Sequence, residues 1–454
     1  MQQIKTKTPL INIFIYGNYG YGNLADDVIL ETFLEDVDKK IKKKNFVVSC
    51  VNPKNVVLSK SLLKRLKLID AMEGIIPFKN INEINNSDAF VLGGAPHLGT
   101  GPPAINELSM IFAALFLGKE VFIWGIEFGP MGSKFMKFLG RKILSKVSLI
   151  TVRAESSYKR LIELGVKCPF IRSIDPVLHW KPKRADYKAL IKKYKINLKK
   201  PIISFFPRIR ANWPRYYNFT NKAAILKEKL EAEPEKSKER AELIDFMIEK
   251  TNGQVLLIAE EFFDNKSISD INKLKQIVSY SKYKDKVITI NEVLRPAEFK
   301  YLLQQSTMVI SERLHPIIMT RDAYIPAISF WWIYEKIEEV MKDMGQGKRI
   351  LSLKGSTKKD KKILMDTFNN RTKIKKELMK DYPRLLKLSN RNNQIIEEIA
   401  KINPEKPKRN LFKKFLLYIL FVFIGFLIYI ANIIEFIKVK FIEKKKLLYL
   451  KDLP

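Results

Sequence analysis

The sequence predicts an α/β protein of two Rossmann-like lobes, followed by an apolar helix near its C-terminus. Three observations carry that reading. Short apolar runs alternate with helical stretches through the first 180 residues, the alternation resumes after a Lys-rich stretch at 182–200, and Phe415–Ile434 holds 20 residues without a formal charge. Short apolar runs separated by longer periodic segments are the pattern of parallel strands joined by crossover helices.

In the first alternation the predicted strands are Ile11–Tyr16, Phe46–Val51, Ala89–Leu92, Glu120–Trp124, Leu149–Val152 and Phe170–Arg172. Helices should begin near Asp26, Leu108 and Ser156. In the second, the strands are Pro201–Phe206, Val255–Ala259, Val287–Ile290, Met308–Ile310 and Ala327–Phe330. A long charged helix, Lys222–Glu249, lies between the first two of these and should be interrupted near Pro234, because proline removes an intrahelical bond. Residues 333–345 and 360–400 read as further helices. The resulting boundaries are 1–185 for the first lobe, 196–345 for the second, 346–410 for a helical tail and basic linker, 411–437 for the membrane helix and 438–454 for a basic tail. Two such lobes face each other across a cleft, and ligands of parallel sheets bind at the carboxyl ends of the strands.

At 454 residues and 46% hydrophobic, the chain is long enough for two cores. Cys50 and Cys168 are its only cysteines. Two lone thiols with no CxxC spacing give neither a disulfide framework nor a zinc site, so no metal is expected. The formal charge is +34, of which residues 401–454 contribute +8 from 12 Lys/Arg and 4 Asp/Glu. Such a field attracts anionic lipid, phosphorylated substrates or nucleic acid. The basic residues are scattered lysines with no finger, RNP-like or basic-zipper pattern, so no nucleic-acid partner is expected.

A 20-residue helix covers about 30 Å, the thickness of a hydrocarbon core, so Phe415–Ile434 is expected to span or anchor to a membrane. Residues 401–414 and 438–451 carry six Lys/Arg each and leave the orientation balanced. Leu10–Tyr16 is too short for a secretory signal, so the catalytic region is expected on the cytoplasmic side, beside anionic lipids.

Four loops carry the candidate chemistry. The first strand runs into Gly17-Asn18-Tyr19-Gly20-Tyr21-Gly22-Asn23-Leu24-Ala25-Asp26 and a helix. Glycines there admit an anion to backbone N–H groups, or serve a tight turn; Asn23 and Asp26 cap a helix or bind sugar hydroxyls. Gly93, Gly94 and His97 follow the Ala89–Leu92 strand, and Glu127 lies in the Gly125–Pro130 loop. The fourth loop, Ser311-Glu312-Arg313-Leu314-His315-Pro316, follows a strand and opens an apolar helix. Arg offers a fork for a carboxylate or phosphate, and His suits proton transfer near neutrality.

Taken in order, these segments resemble the polysaccharide pyruvyl transferase family over about 320 residues. The match includes Gly22-Asn23-Leu24-Ala25-Asp26 for a usual GNxGD, Gly93-Gly94 for three glycines, and the Gly125–Pro130 loop. It continues through Thr151-Val152-Arg153-Ala154-Glu155-Ser156-Ser157, Asp175-Pro176, the strand with Arg208 and Arg210, Arg313-Leu314-His315 and Tyr334-Glu335-Lys336-Ile337. Ala25, Ala95 and Ala154 depart from the family pattern.

The resemblance implies a glycosyltransferase-B-like fold and transfer of the enolpyruvyl unit of phosphoenolpyruvate to a sugar, with two hydroxyls ending on one carbon as a ketal. No cofactor is implied beyond this co-substrate. Arg208, Arg210, Arg313 and Lys336 become the candidates for holding the donor's two anionic groups. His315 becomes the acid that protonates its methylene, and Asp175 or Glu127 the carboxylate that orients or deprotonates a sugar hydroxyl. Gly20, Gly22, Asn23, Asp26, Gly93, Gly94 and His97 fall to substrate binding. The anchor suggests a saccharide acceptor on a lipid carrier or growing surface glycan. The alternatives are a membrane-bound glycosyltransferase of the same fold using a nucleotide-sugar, and a non-catalytic, tethered glycan-binding protein.

Overall fold

The computed structural model describes residues 9–70, 78–94, 97–98, 101–131, 134–182, 188–208, 222–262, 270–331, 336–352, 355–404, 412–413, 415–417 and 419. Eight strands form the first sheet: β1 (Ile11–Tyr16), β2 (Lys44–Cys50), β3 (Leu66–Asp70), β4 (Ala89–Leu92), β5 (His97–Leu98), β6 (Glu120–Phe128), β7 (Leu149–Val152) and β8 (Phe170–Arg172). Six form the second: β9 (Ile202–Phe206), β10 (Gln254–Ile258), β11 (Val287–Ile290), β12 (Met308–Ser311), β13 (Ala327–Phe330) and β14 (Ile350–Leu351). All pairings between these named strands are parallel.

The strands are legible as apolar runs because helices cover both faces of each sheet: β4, β7, β9, β10, β12 and β13 are buried at every residue. Strand orders are β3-β2-β1-β4-β6-β7-β8, with β5 on β6, and β11-β10-β9-β12-β13-β14. Both orders reverse after the strand first in sequence. The crevices at the reversal open beyond β1 and β4 in one lobe and β9 and β12 in the other, which is where parallel sheets bind ligands.

Three expectations need correction. The strand predicted as Glu120–Trp124 continues to Phe128, because Gly125 takes φ +59° and the β6–β7 register shifts between Ile123 and Ile126. Glycine makes that bulge possible, and the extension lets His97 pair with Glu127. The charged helix, Lys222–Thr251, runs unbroken through Pro234. Pro234 itself is exposed, where a lost intrahelical bond is tolerated better than in a packed face. The predicted 360–400 helix is three helices, Lys358–Asn369, Arg371–Ser389 and Asn393–Ala400. The last two do not form a separate tail. Ile395, Ile396 and Ile399 are fully buried in one core with Ile13, Val28 and Trp124 of the first lobe.

Among the described residues, no helix is long and apolar enough to cross a membrane. Of the predicted membrane segment only Phe415, Leu416, Leu417 and Ile419 are described, and the rest of it lies outside the described residues.

Candidate functional site

The loop after β1 is built around Tyr19, which is buried with its ring against Gly93 and Gly94. A Cβ on Gly17 would sit 2.1 Å from the Gly93 carbonyl oxygen, so the glycines here let two strand ends close on one another. Asn23 caps the helix Leu24–Lys40 by accepting from the Ala25 N–H at 3.1 Å. The Leu24 N–H donates to the Glu260 carbonyl at 3.1 Å and the Asp26 N–H to the Asn23 carbonyl at 3.2 Å. The first N–H groups of this helix are therefore engaged inside the protein. Gly22 accepts from the Phe262 N–H at 2.7 Å, and Asn23 bridges Glu261, so this loop fastens the first lobe to the end of β10. Asp26 is buried beneath it. Glycine spacing and capping together explain this segment, and it contributes an interlobe contact to the cleft.

The second cluster joins the lobes on the β6–β8 side. Asp175 follows β8 and caps the turn Pro176–Leu178, with Oδ1 accepting from the Val177 N–H at 3.0 Å. Its Oδ2 accepts from Arg153 Nη1 at 2.8 Å and lies 3.5 Å from His315 Nε2. His315 comes from the other lobe, on the helix Leu314–Met319 after β12. Arg153 Nη2 also lies 3.8 Å from Glu127 Oε2. Burial by itself would raise the pKa of Asp175, but His315 and the Arg153 guanidinium outweigh it and hold the carboxyl well below its usual range. Asp175 is thereby kept ionised and is a weak base, placed where a carboxylate can orient His315 and stabilise the ring when charged. Glu127, Arg153, Asp175, His315, Glu339 and Asp343 line one pocket between the lobes. Its walls are tied together by Glu339, which accepts from the Ser156 N–H and hydroxyl at 2.8 and 2.6 Å, and by Arg172 on Asp343 at 2.7 Å. Ala154, at the N-cap of Glu155–Leu164, makes no side-chain cap.

Arg313 points away from this pocket. Its Nη1 is 2.8 Å from Glu261, its Nη2 is 2.7 Å from Asp270, and its Nε is 3.6 Å from Glu260. The side chain is only 6% exposed, so its fork is committed to the protein's own carboxylates. Glu312 holds Arg240 at 2.6 Å and the Arg208 N–H at 2.7 Å. The Arg208 side chain is 46% exposed and 3.8 Å from Glu261, at the edge of the same cluster. Arg210 and the side chains of Lys336 and His97 lie outside the described residues.

Burial pushes Glu260 up to about 8, against the opposing pull of Arg313. A carboxyl raised from 4.5 in the unfolded chain stabilises the fold fully below that value, and its contribution is lost as pH rises to about 8. Glu260→Gln, which cannot ionise, should therefore gain in denaturation midpoint relative to the natural chain at pH 9 and differ little from it at pH 5. Equal differences at the two pH values would show that Glu260 titrates normally.

Two contributors escaped the sequence reading. Arg153 sits within the Thr151–Ser157 segment, where its type and its place after a strand marked it, yet only the structure supplies its partner. The other is His179, whose Nε2 is 2.6 Å from Asp36 and whose Nδ1 is 2.8 Å from Ser389 Oγ. Ser389 in turn donates to the Asp175 carbonyl at 3.0 Å. The C-terminal helices thus buttress the backbone of the residue that faces His315.

The sequence model of the family described as polysaccharide pyruvyl transferase matches residues 23–334, a span that contains both halves of the His315–Asp175 pair. No curated protein matches the chain in sequence. Among solved structures it is similar to Anabaena Alr3699/HepE in complex with UDP-glucose, with a TM-score of 0.55 at 11% identity over 86% of this chain and 100% of that one. It is also similar to a UDP-N-acetylglucosamine 2-epimerase from Listeria monocytogenes described as putative, at TM-score 0.53, 13% identity, 86% and 96% coverage. A third is the UDP-GlcNAc 2-epimerase of Methanocaldococcus jannaschii, at 0.52, 13%, 79% and 92%. At such identities the likeness is one of fold: two parallel α/β lobes of the glycosyltransferase-B kind.

Proposed function

The chain belongs to the polysaccharide pyruvyl transferase family, and from that premise we propose that it converts phosphoenolpyruvate and a saccharide into a pyruvate ketal and inorganic phosphate. The observation that carries the reading is the His315–Asp175 pair, contributed by opposite lobes and backed by Arg153. Protonation of the donor's methylene carbon by His315 leaves an oxocarbenium-like centre at C2. A sugar hydroxyl adds there as its proton passes to a carboxylate, the C2–O bond to phosphate breaks, and a second hydroxyl adds to C2, losing its proton to the departing phosphate and closing the ketal. Asp175 stabilises the histidine in its charged form, and Glu127, which lines the same pocket, is the carboxylate we assign to receive the first hydroxyl proton. Arg208, Arg210 and Lys336 are the cations we assign to the donor's carboxylate and phosphate, in an otherwise acid-rich cleft.

The test is mass spectrometry of saccharide acceptors incubated with the protein and phosphoenolpyruvate, together with the host's surface glycan with and without the protein. A pyruvate ketal dependent on the protein supports the assignment. A second reading, glycosyl transfer from a nucleotide-sugar, has the printed ligands of structural neighbours in its favour. Binding competition decides: displacement of a labelled nucleotide-sugar by unlabelled nucleotide-sugars but not by phosphoenolpyruvate would replace the first reading with the second.

The proposal includes a cytoplasmic catalytic region tethered through Phe415–Ile434, with an acceptor on a lipid carrier. A chain ending at Asn403 should then leave the membrane fraction, and protease protection of tagged termini should leave the lobes on the cytoplasmic side. Sedimentation of the shortened chain with membranes in high salt would remove the segment as the principal tether.

A further inference from the structure

We propose that the exposed face of the helix Lys134–Leu144 rests on an anionic bilayer surface and sets how the first lobe meets the membrane. The inference concerns a surface of the first lobe, distinct from the Phe415–Ile434 tether, and is independent of the reaction catalysed. Soluble α/β lobes hide their large aromatic side chains, yet Phe135 is 68% exposed and Phe138, one turn further on, 52% exposed. The residues exposed around them are Lys134, Lys137, Arg141 and Lys142, and the helix contains no acidic residue. Lys142 Nζ lies 5.8 Å from the centre of the Phe138 ring, so cation and aromatic share one face. The opposite face is anchored: Ile143 and Leu144 are buried, and Gly140 lets Met131 approach so closely that a Cβ would sit 2.4 Å from it. Aromatic rings set among cations on an otherwise packed helix are what an interface of acyl chains and negative headgroups accommodates.

A second observation lies in the C-terminal segment. Leu417 is buried in the same hydrophobic cluster as Ile143 and Leu144, with Met136 and Leu139 packed against it, and Lys413 Nζ is 5.7 Å from the Phe116 ring. Phe412, Phe415, Leu416 and Ile419, around this docking point, are exposed. The described start of the uncharged stretch is thus docked on the core of the same lobe that carries Phe135 and Phe138. Charge favours a bilayer as the occupant of this face over a second copy of the chain, which carries the same sign, and the two exposed rings favour it over an acidic protein.

The test uses the full chain. Both native cysteines are buried, so Phe138→Cys provides one accessible thiol for an environment-sensitive fluorophore; Phe135→Cys is the second position, and Tyr280→Cys, exposed on the other lobe, is the reference. With vesicles containing phosphatidylglycerol, emission from positions 135 and 138 should rise, shift to the blue and be quenched by lipid-borne spin labels, while position 280 stays unchanged. The shift should weaken in phosphatidylcholine alone and in high salt. A chain that co-floats with vesicles while both helix probes keep their emission in buffer would overturn the proposal and leave the C-terminal tether standing. A chain that does not float at all would overturn both.

Discussion

His315→Ala is expected to lower turnover about 10²–10⁴-fold, the usual contribution of a positioned general acid or base, with the fold and much of the donor affinity retained. The ring comes from the helix after β12 and reaches Asp175 at 3.5 Å across the interlobe cleft. That pair has the elements of an acid–base site: a titratable imidazole, a carboxylate held ionised by Arg153, and a position at the carboxyl ends of both sheets. His315→Gln separates proton transfer from hydrogen bonding, since glutamine reaches as far without offering a transferable proton. It should be nearly as slow as alanine. Asp175→Asn should lower turnover as well, because the amide leaves Arg153 without its partner and no longer stabilises a charged ring. Single-turnover rates with phosphoenolpyruvate measure all three. Near-natural turnover in His315→Gln would remove His315 from the acid role and move the search to Glu127 and His97.

The parts of the fold that were legible in the sequence are those in which burial is complete on both faces. Ala89–Leu92, Leu149–Val152 and Ala327–Phe330, apolar but for Thr151 and Ser329, are buried at every residue and are strands over the same residues. Leu66–Asp70 was missed because it lies at the sheet edge with one residue of five fully buried, and a half-exposed LKLID run has too weak a pattern. His97–Leu98 and Ile350–Leu351 are too short to register at all. At the site, residue type and strand-end position marked the loops of Glu127 and His315, whereas Asp175 entered only through the resemblance to the family. Which of them meet was not readable, because Asp175 and His315 are 140 residues apart and meet only through the packing of two lobes. The same limit applies to Arg313. Its type suggested a free cation, and nothing local announces that Glu260, Glu261 and Asp270, more than 40 residues earlier, fold around it.

Arg313→Ala is accordingly expected to act first on stability. Removing one partner from a buried ionic cluster leaves the others without compensation, at a cost of about 3–5 kcal/mol. Here Asp270 and Glu261, both within 2.8 Å of the guanidinium, would lose it, with Arg208 at 3.8 Å left beside Glu261. Arg313→Lys keeps the charge but cannot hold two carboxylates in a planar fork, so it should recover only part of the loss. Asp270→Ala in the Arg313→Ala background removes one of the stranded carboxylates, and the double variant should be less destabilised than the two single changes summed. Because Glu260 and Glu261 also carry the backbone that meets Leu24 and Asn23, the loss should propagate to the interlobe contact and weaken acceptor turnover at saturating donor. Denaturant midpoints alongside KM for phosphoenolpyruvate separate this role from donor binding. If Arg313→Ala left the midpoint unchanged and raised KM tenfold or more, Arg313 would be a donor ligand and the carboxylates around it would have to release it when the donor binds.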